Sequence, residues 1–203
     1  MRTIRTKIYK FYELTEKAKE QAIENCRPKE IFWAEENKQS MEAFADCFNV
    51  HVTSWAYGDY RSGVDFNHSL DEGRENMIGH RLATYFWNNY KESIYKPKQY
   101  WICEGRKNTV GVNSKHRESK IFLYDELACP FTGYYMDNVI LGPIFEFMRK
   151  PDNRTFEDVI GDCFAAWVKG CNDEIEYSNS DKAIIEEIEN QDREFYANGK
   201  EHY

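Results

Sequence analysis

The sequence lacks any stretch that would cross or enter a membrane. No run approaches about 18 apolar residues, and residues 1–7 (MRTIRTK) contain no apolar core of the kind a secretory signal needs. The six cysteines include no CxxC pair and no cysteine–histidine pair at zinc-finger spacing. We therefore expect a cytoplasmic protein with no membrane partner and no bound metal, in which most cysteines are buried, reduced thiols.

Catalytic signatures are missing as well. The sequence contains no GxSxG, HExxH, GxxxxGK(S/T) or GxGxxG motif, and its 11 glycines are too dispersed to form a phosphate-binding loop. Asp65, His68 and His80 could form a carboxylate–imidazole site, which is the alternative, enzymatic interpretation. The ordinary interpretation is that these histidines lie on the surface or make structural hydrogen bonds. We predict a protein that is not an enzyme and uses no cofactor.

What the chain does contain is enough apolar material for a core. Of its 203 residues, 41% are hydrophobic, 16% aromatic and 31% charged, which excludes disorder, coiled coils and membrane proteins as descriptions of the whole chain. A chain of this length buries about 70% of its unfolded surface, so it needs no disulfide to fold. We predict an α+β domain over residues 1–151, with a small antiparallel sheet packed against several helices. A helical C-terminal portion over residues 152–203 is expected to pack on the same domain.

Apolar periodicity and helix-cap residues predict the individual elements. Helices are expected over about 16–26, 29–48, 77–95, 138–149, 155–177 and from 181 onward, and strands over 3–12, 50–57, 60–66, 99–103, 109–113 and 119–124. Thr15, Thr155 and Ser180 are predicted N-caps. Pro143 falls deep in its helix, so we expect either a kink or a late helix start there.

Negative charge is concentrated at the C-terminal end. The chain carries a net charge of −8, and residues 172–203 contain ten acidic and three basic residues, a net −7, so broad binding to nucleic acid is not expected. At helical spacing, Ile184, Ile188 and Phe195 fall on one face with Gln191, and the acids cover the remaining surface. This pattern predicts a docking helix whose acids face solvent or a basic partner, with mimicry of nucleic acid as the alternative. The candidate partner-binding acids are Glu186, Glu187 and Glu189.

A second candidate surface is a tight turn rich in aromatic residues at the tip of the predicted hairpin. The residues are Trp55, Tyr57, Asp59, Tyr60 and Arg61. Aromatic and arginine side chains dominate protein interfaces because they bury a large area at low entropic cost. The alternative is that these rings cover a small sheet. We expect Tyr134 and Tyr135, beside Gly133, to have a structural role and to close an edge of the core.

Three stretches of the chain resemble a family. They are YKFYELTEKAKEQAIE at 9–24, CPFTGYYMDNVILGPIFEF at 129–147 and SDKAIIEEIENQDREFYANGK at 180–200. In this order they resemble the start, middle and end of small uncharacterised proteins of phages and prophages, and TSWAYGD at 53–59 is similar to that family's aromatic turn. The chain departs from the pattern at Ala197–Asn198, where an acidic residue is usual. Members are described as hypothetical or, occasionally, antitoxin-like proteins, so the resemblance implies no catalytic residues.

These features together predict a phage-encoded accessory protein that acts by binding. The expected partner is a host or phage protein, including one that belongs to a nucleic-acid-binding complex, and the expected role is inhibition of a host defence system such as CRISPR. Besides the enzyme, the alternative is an antitoxin-like regulator. Direct DNA binding is disfavoured because the net charge is −8 and the chain has no basic stripe.

Overall fold

The computed structural model describes residues 6–28, 33–58, 60–68, 76–94, 100–102, 115–117 and 130–202. These residues form helices and short antiparallel strands, which confirms the α+β class. The helices are α1 Glu16–Cys26, α2 Ala34–Phe48, α3 Gly79–Ile94, α4 Met136–Arg149, α5 Phe156–Ser178 and α6 Asp181–Asn190. The strands are β1 Tyr9–Lys10, β2 Val50–Ala56, β3 Gly63–His68, β4 Tyr100–Ile102, β5 Lys115–Arg117, β6 Glu194–Phe195 and β7 Glu201–His202. None of the helices in these ranges combines the length and the hydropathy needed to cross a bilayer.

Packing divides the chain into two compact units. Unit 1 combines Met1–Phe32 with Asn172–Tyr203, and unit 2 is Trp33–Cys171. This grouping differs from the expected boundary after residue 151, because the last 32 residues pack with the N-terminal segment. Helix α5 contributes its first part to unit 2 and its final residues to unit 1.

Unit 1 is built from the two ends of the chain. Its sheet has the order β1–β6–β7, with Tyr9 opposite Phe195 and Phe195 opposite Glu201. Its buried side chains are Phe11, Leu14, Ala18, Ala22, Ile184, Ile188 and Phe195. Phe195 was expected on the last helix, and that assignment is wrong. Helix α6 ends at Asn190, the chain reverses at Asp192 with a φ of 50°, and Phe195 enters the same core from a strand.

In unit 1 the backbone at Gly199 lies directly against the backbone of α1. Gly199 has a φ of 79°, and a Cβ at this position would collide with the carbonyl oxygen of Ala18 and lie 3.0 Å from the amide nitrogen of Ala22. The Asn25 side-chain amide donates to the Gly199 carbonyl oxygen at 3.2 Å. Only glycine satisfies both the positive φ and the missing space.

Unit 2 has a larger core that is rich in aromatic rings. Phe44 and Phe164 meet edge to face with ring centroids 5.4 Å apart, and Phe86 meets Phe147 in the same way at 6.1 Å. Helices α4 and α5 approach closely at Gly170, where a Cβ would lie 2.9 Å from the Val139 side chain. The buried residues of this core come from α2, β2, α3, α4 and α5 and from Met77, which precedes α3.

The three residues predicted as N-caps stand at helix starts, and two of them make side-chain capping hydrogen bonds. Thr155 and Asp158 form a reciprocal capping box at the start of α5, and the Ser180 hydroxyl accepts from the Ala183 amide at the start of α6. Thr15 occupies the N-cap of α1, but its side chain makes no capping hydrogen bond. Pro143 lies inside α4, which begins at Met136, so the late start is wrong.

The strand predictions are confirmed in part. Strands β2 and β3 form the expected hairpin, and β4 falls within the strand predicted at 99–103. Of the N-terminal strand predicted over 3–12, the described residues contain β1, which is followed by a 3-10 turn at Phe11–Glu13, and residues 3–5 lie outside the described residues. The partner of β4 is β5, in a segment predicted as a turn, and the strands expected at 109–113 and 119–124 lie outside the described residues.

The cysteines in the described ranges are free thiols. Cys163 and Cys171 are buried, whereas Cys26 and Cys47 are half-buried. Burial raises the pKa of the Cys163 and Cys47 thiols, which favours their protonated form. Cys103 and Cys129 lie outside the described residues.

Candidate functional site

An irregularity in strand β2 sets the orientation of the aromatic hairpin. Val52 pairs with Phe66, but the next pair joins Ser54 to Asp65, so Thr53 is an extra residue on its strand. Such a β-bulge shifts the alternation of side chains by one position.

The bulge moves Trp55 to the core face of the hairpin. Trp55 lies opposite Val64, and Val64 shares a face with Phe66 because the two are two residues apart on β3. Phe66 in turn lies opposite Val52. A strand that alternated regularly over 50–57 would place Trp55 on the opposite face from Val52, and the bulge reverses this.

Trp55 and Tyr57 form a stacked pair that rests on a buried indole. Their ring centroids are 5.8 Å apart with an interplanar angle of 19°. Each ring is nearly perpendicular to Trp167, at 5.9 Å and 5.3 Å respectively. The indole N–H of Trp167 donates to the Asn37 carbonyl oxygen at 2.9 Å. The rings of Trp55 and Tyr57 therefore pack against the core, in line with the alternative that the aromatic residues of the hairpin cover the fold. They form the base of the turn.

The tip of the hairpin presents two further candidate residues. Tyr60 is 88% exposed, and the guanidinium carbon of Arg61 lies 5.3 Å from the centroid of its ring. Gly58 has a φ of 89°, which reverses the chain before them. Asp59, the remaining candidate, lies outside the described residues. The hairpin therefore has a packed base and an exposed tip that carries a phenol and a guanidinium.

The carboxylate–imidazole site is not assembled at Asp65 and His68. Asp65 lies on the polar face of the hairpin, where its carboxylate accepts from the Ser54 hydroxyl at 2.6 Å. His68 lies on the other face, two residues beyond Phe66 on β3, with its Nε2 3.7 Å from the Glu157 carboxylate. His80 is exposed on α3. Among the described residues, no group of three or more potential ligands is placed to hold a metal ion.

The candidate acids of α6 are exposed but differ in their contacts. Glu187 lies 3.3 Å from the Arg193 guanidinium, and Glu186 accepts from the Tyr177 hydroxyl at 3.3 Å. Glu189 has no side-chain partner in the described part of the chain. Ile184 and Ile188 are buried on the opposite side of the helix, as predicted.

Cations of unit 1 pair with much of the remaining acidic tail. Lys10 lies 2.9 Å from Asp192 and 3.2 Å from Glu194, and the Arg27 guanidinium lies 2.9 Å from Asp181. Hydrogen bonding to Asp192 raises the pKa of Lys10 above its ordinary value. These acids are therefore paired within unit 1.

Asp137 is a buried carboxylate that was not among the residues predicted from the sequence. One of its oxygens accepts from the amides of Phe131 (2.9 Å), Thr132 (2.7 Å) and Gly133 (3.3 Å), and the other accepts from the Thr132 hydroxyl at 3.0 Å. The same hydroxyl lies 3.1 Å from that of Ser40 on α2. The sequence feature that could have identified Asp137 is its position, because it is an acid in the first turn of a helix that follows a Thr-Gly loop.

Tyr134 and Tyr135 follow the loop fixed by Asp137, and Trp33 at the start of α2 contacts Tyr134. We call these three residues the aromatic corner. Trp33 and Tyr134 have ring centroids 5.9 Å apart, and Tyr134 meets Tyr135 edge to face at 4.7 Å. Tyr134 packs against the core of unit 2, as expected. Tyr135 is 42% exposed and Trp33 is 41% exposed, so the core covers these two rings only in part.

Comparison with known proteins gives no match: no protein-family model, no curated protein and no solved structure is significantly similar to the chain.

Proposed function

We propose that the chain is a phage-encoded accessory protein that acts by binding a protein partner of a host defence system such as CRISPR. The observation that carries this proposal is the hairpin tip, where Tyr60 is almost fully exposed beside Arg61. A tyrosine exposed to this degree contributes little to the fold. Its burial against a partner would supply binding energy without any cost in stability of the free protein.

The base of the hairpin supports binding because it limits the motion of the tip. Trp55 and Tyr57 are held against Trp167, which is itself buried and hydrogen-bonded. A contact presented from a rigid support loses less conformational entropy on association. The tip thus combines exposed side chains with a fixed backbone support.

Charge favours a protein partner over nucleic acid. The net charge of −8 repels a phosphate backbone, and the acids of unit 1 are largely paired within the unit. The enzymatic alternative gains no support, because Asp65 and His68 lie on opposite faces of the hairpin. The resemblance to phage and prophage proteins supports a role during infection.

Affinity purification from an infected host tests the proposal. The baits are the tagged wild-type chain, a Tyr60→Ala/Arg61→Ala variant, and Tyr12→Ala as a matched control that removes a tyrosine 73% exposed in unit 1. We expect quantitative mass spectrometry to find a defence protein enriched by the wild type and the control but not by the double variant. An identical set of proteins on all three baits would contradict the role of the hairpin. A hairpin-dependent partner from outside any defence system would contradict the assigned role.

A further inference from the structure

The aromatic corner is held in a preset arrangement. The Asp137 carboxylate fixes the backbone amides that precede Tyr134, and the Thr132 hydroxyl links this loop to Ser40 on α2. Trp33 is the N-cap residue of the same helix, so both ring-bearing segments are tied to α2. The ring surface therefore exists before any ligand arrives, which lowers the entropic cost of binding.

The charge beside these rings is negative. The first turn of α2, directly after Trp33, carries Glu35 and Glu36. The nearby cation, Lys38, lies 4.0 Å from Glu35 and 3.7 Å from Glu42. Glu36, which is half-buried in that first turn, makes no ion pair within the described residues.

From this arrangement we infer that the aromatic corner, with Glu36, binds an arginine side chain of a basic protein segment. The faces of tryptophan and tyrosine rings carry a negative quadrupole that attracts cations, and a guanidinium can stack on a ring while it also pairs with a carboxylate. An ammonium lacks the planar shape that permits such stacking. The inference concerns different residues from the hairpin tip and does not rest on the proposed function.

A peptide titration of the folded chain tests the inference. The probe is the blocked peptide Gly-Arg-Gly-Arg-Gly, and its two controls replace arginine with citrulline, which has nearly the same shape without the charge, or with lysine. Heteronuclear NMR follows the indole N–H of Trp33 and the backbone amide of Tyr135. We expect both signals to shift with the arginine peptide, to shift less with the lysine peptide, and to remain unchanged with the citrulline peptide.

Variants at Tyr135 and Glu36 then assign the binding site. Tyr135→Ala should weaken binding of the arginine peptide by about two- to five-fold, as expected for an exposed cation–π contact. Glu36→Gln should weaken it by about two-fold and reduce its salt dependence. Tyr12→Ala and Glu20→Gln are the matched controls in unit 1 and should leave the affinity unchanged.

Three results would overturn the inference. They are the absence of any shift at Trp33 and Tyr135, equal binding of the arginine and citrulline peptides, and unchanged affinity in both Tyr135→Ala and Glu36→Gln. Equal binding of the lysine peptide would overturn the choice of a guanidinium. Circular dichroism of each variant verifies that the protein remains folded, because the substituted side chains are outside the core.

Discussion

The two units reach a folded state by different means. Unit 2 encloses a large core from consecutive helices, with rings such as Phe44, Phe86 and Phe164 in mutual contact. Unit 1 encloses a small core between the two chain ends and adds ion pairs through Lys10, Arg27 and Arg193. Apolar burial therefore dominates the stability of unit 2.

The two candidate aromatic binding surfaces are both in unit 2. The hairpin tip and the aromatic corner rest on the larger core, whereas the exposed acids of α6 belong to unit 1. A binding surface needs a support that does not yield when a partner docks. The two candidate surfaces of unit 2 are therefore aromatic, whereas the exposed side of α6 in unit 1 is acidic.

The tryptophans allow the two units to be observed separately. All five, at positions 33, 55, 87, 101 and 167, fall within unit 2. Tryptophan emission therefore reports on unit 2, and far-UV circular dichroism reports on the helices of both units.

The largest effect is expected from Trp167→Ala in unit 2. The change removes a fully buried indole, its hydrogen bond to Asn37 and the support for Trp55 and Tyr57. Substitutions of this kind cost about 3 to 5 kcal/mol, and urea unfolding followed by circular dichroism measures the loss. Trp167→Phe, which keeps a ring, should lose less. A cost below about 1 kcal/mol for the alanine variant would contradict the described core.

A smaller but still substantial effect is expected from Ile188→Ala in unit 1. Ile188 is 1% exposed, and its truncation should cost about 2 to 4 kcal/mol of unfolding free energy. We expect circular dichroism to report this loss at lower urea than tryptophan emission does. Coincident shifts of the two signals would show instead that the cores unfold as one.

The matched control for Ile188 is the exposed side of the same helix. Glu186→Gln with Glu187→Gln and Glu189→Gln should cost less than about 1 kcal/mol in total, because exposed ion pairs contribute little. A triple variant as unstable as Ile188→Ala would show that charge, rather than burial, stabilises α6.

Gly199→Ala tests the close approach in unit 1. The added methyl group collides with the Ala18 carbonyl and must also adopt a positive φ, so we expect a loss of about 2 to 3 kcal/mol. Gly133→Ala in unit 2 is the control, since Gly133 has a φ of 86° but no atom within 4 Å of the added carbon. Its backbone strain alone should cost about 1 kcal/mol. Equal losses in thermal unfolding would contradict the close approach.

The smallest effect concerns the capping box of α5. Hydrogen bonds from the Thr155 amide and hydroxyl lower the pKa of Asp158 below its ordinary value. Stability from a group with a lowered folded-state pKa is present above the unfolded-state pKa and is lost as pH falls through the folded-state pKa. Asp158→Asn should therefore cost about 1 kcal/mol or less at pH 7, and this cost should shrink as pH falls below the ordinary pKa of an aspartate and through the lowered folded-state pKa. A cost that does not change with pH, measured by urea unfolding against Glu146→Gln as control, would contradict this assignment.

The sequence predicted the elements whose signals are local. The caps at Thr155 and Ser180 marked the starts of α5 and α6, and alternating residues identified the hairpin. The spacing of four residues between Gln191 and Phe195 fits a helix, so Phe195 was assigned to the last helix. The same spacing also fits a chain that reverses and continues as a strand. The positive φ at Asp192, which ends that pattern, depends on the packing of β6 against β1.

The features that the sequence did not predict depend on contacts between residues that no local pattern connects. Tyr9 and Phe195 are neighbours in one sheet, and no local pattern connects the two ends of the chain. The bulge at Thr53 reverses the face of Trp55, although nothing in the composition of β2 marks an extra residue. The hydrogen bonds of Asp137 likewise depend on the path of the loop before α4.

The most direct test of the central claim measures function and stability in the same variant. The wild-type chain, Tyr60→Ala/Arg61→Ala and Tyr12→Ala are expressed in a bacterium whose CRISPR system blocks a virulent phage, and plaques and melting temperatures are determined in parallel. We predict that the wild type and Tyr12→Ala restore plaque formation. The double variant should not restore it, although its melting temperature stays within about 2 °C of the wild-type value. Plaque formation restored equally by all three chains would contradict recognition through the hairpin tip.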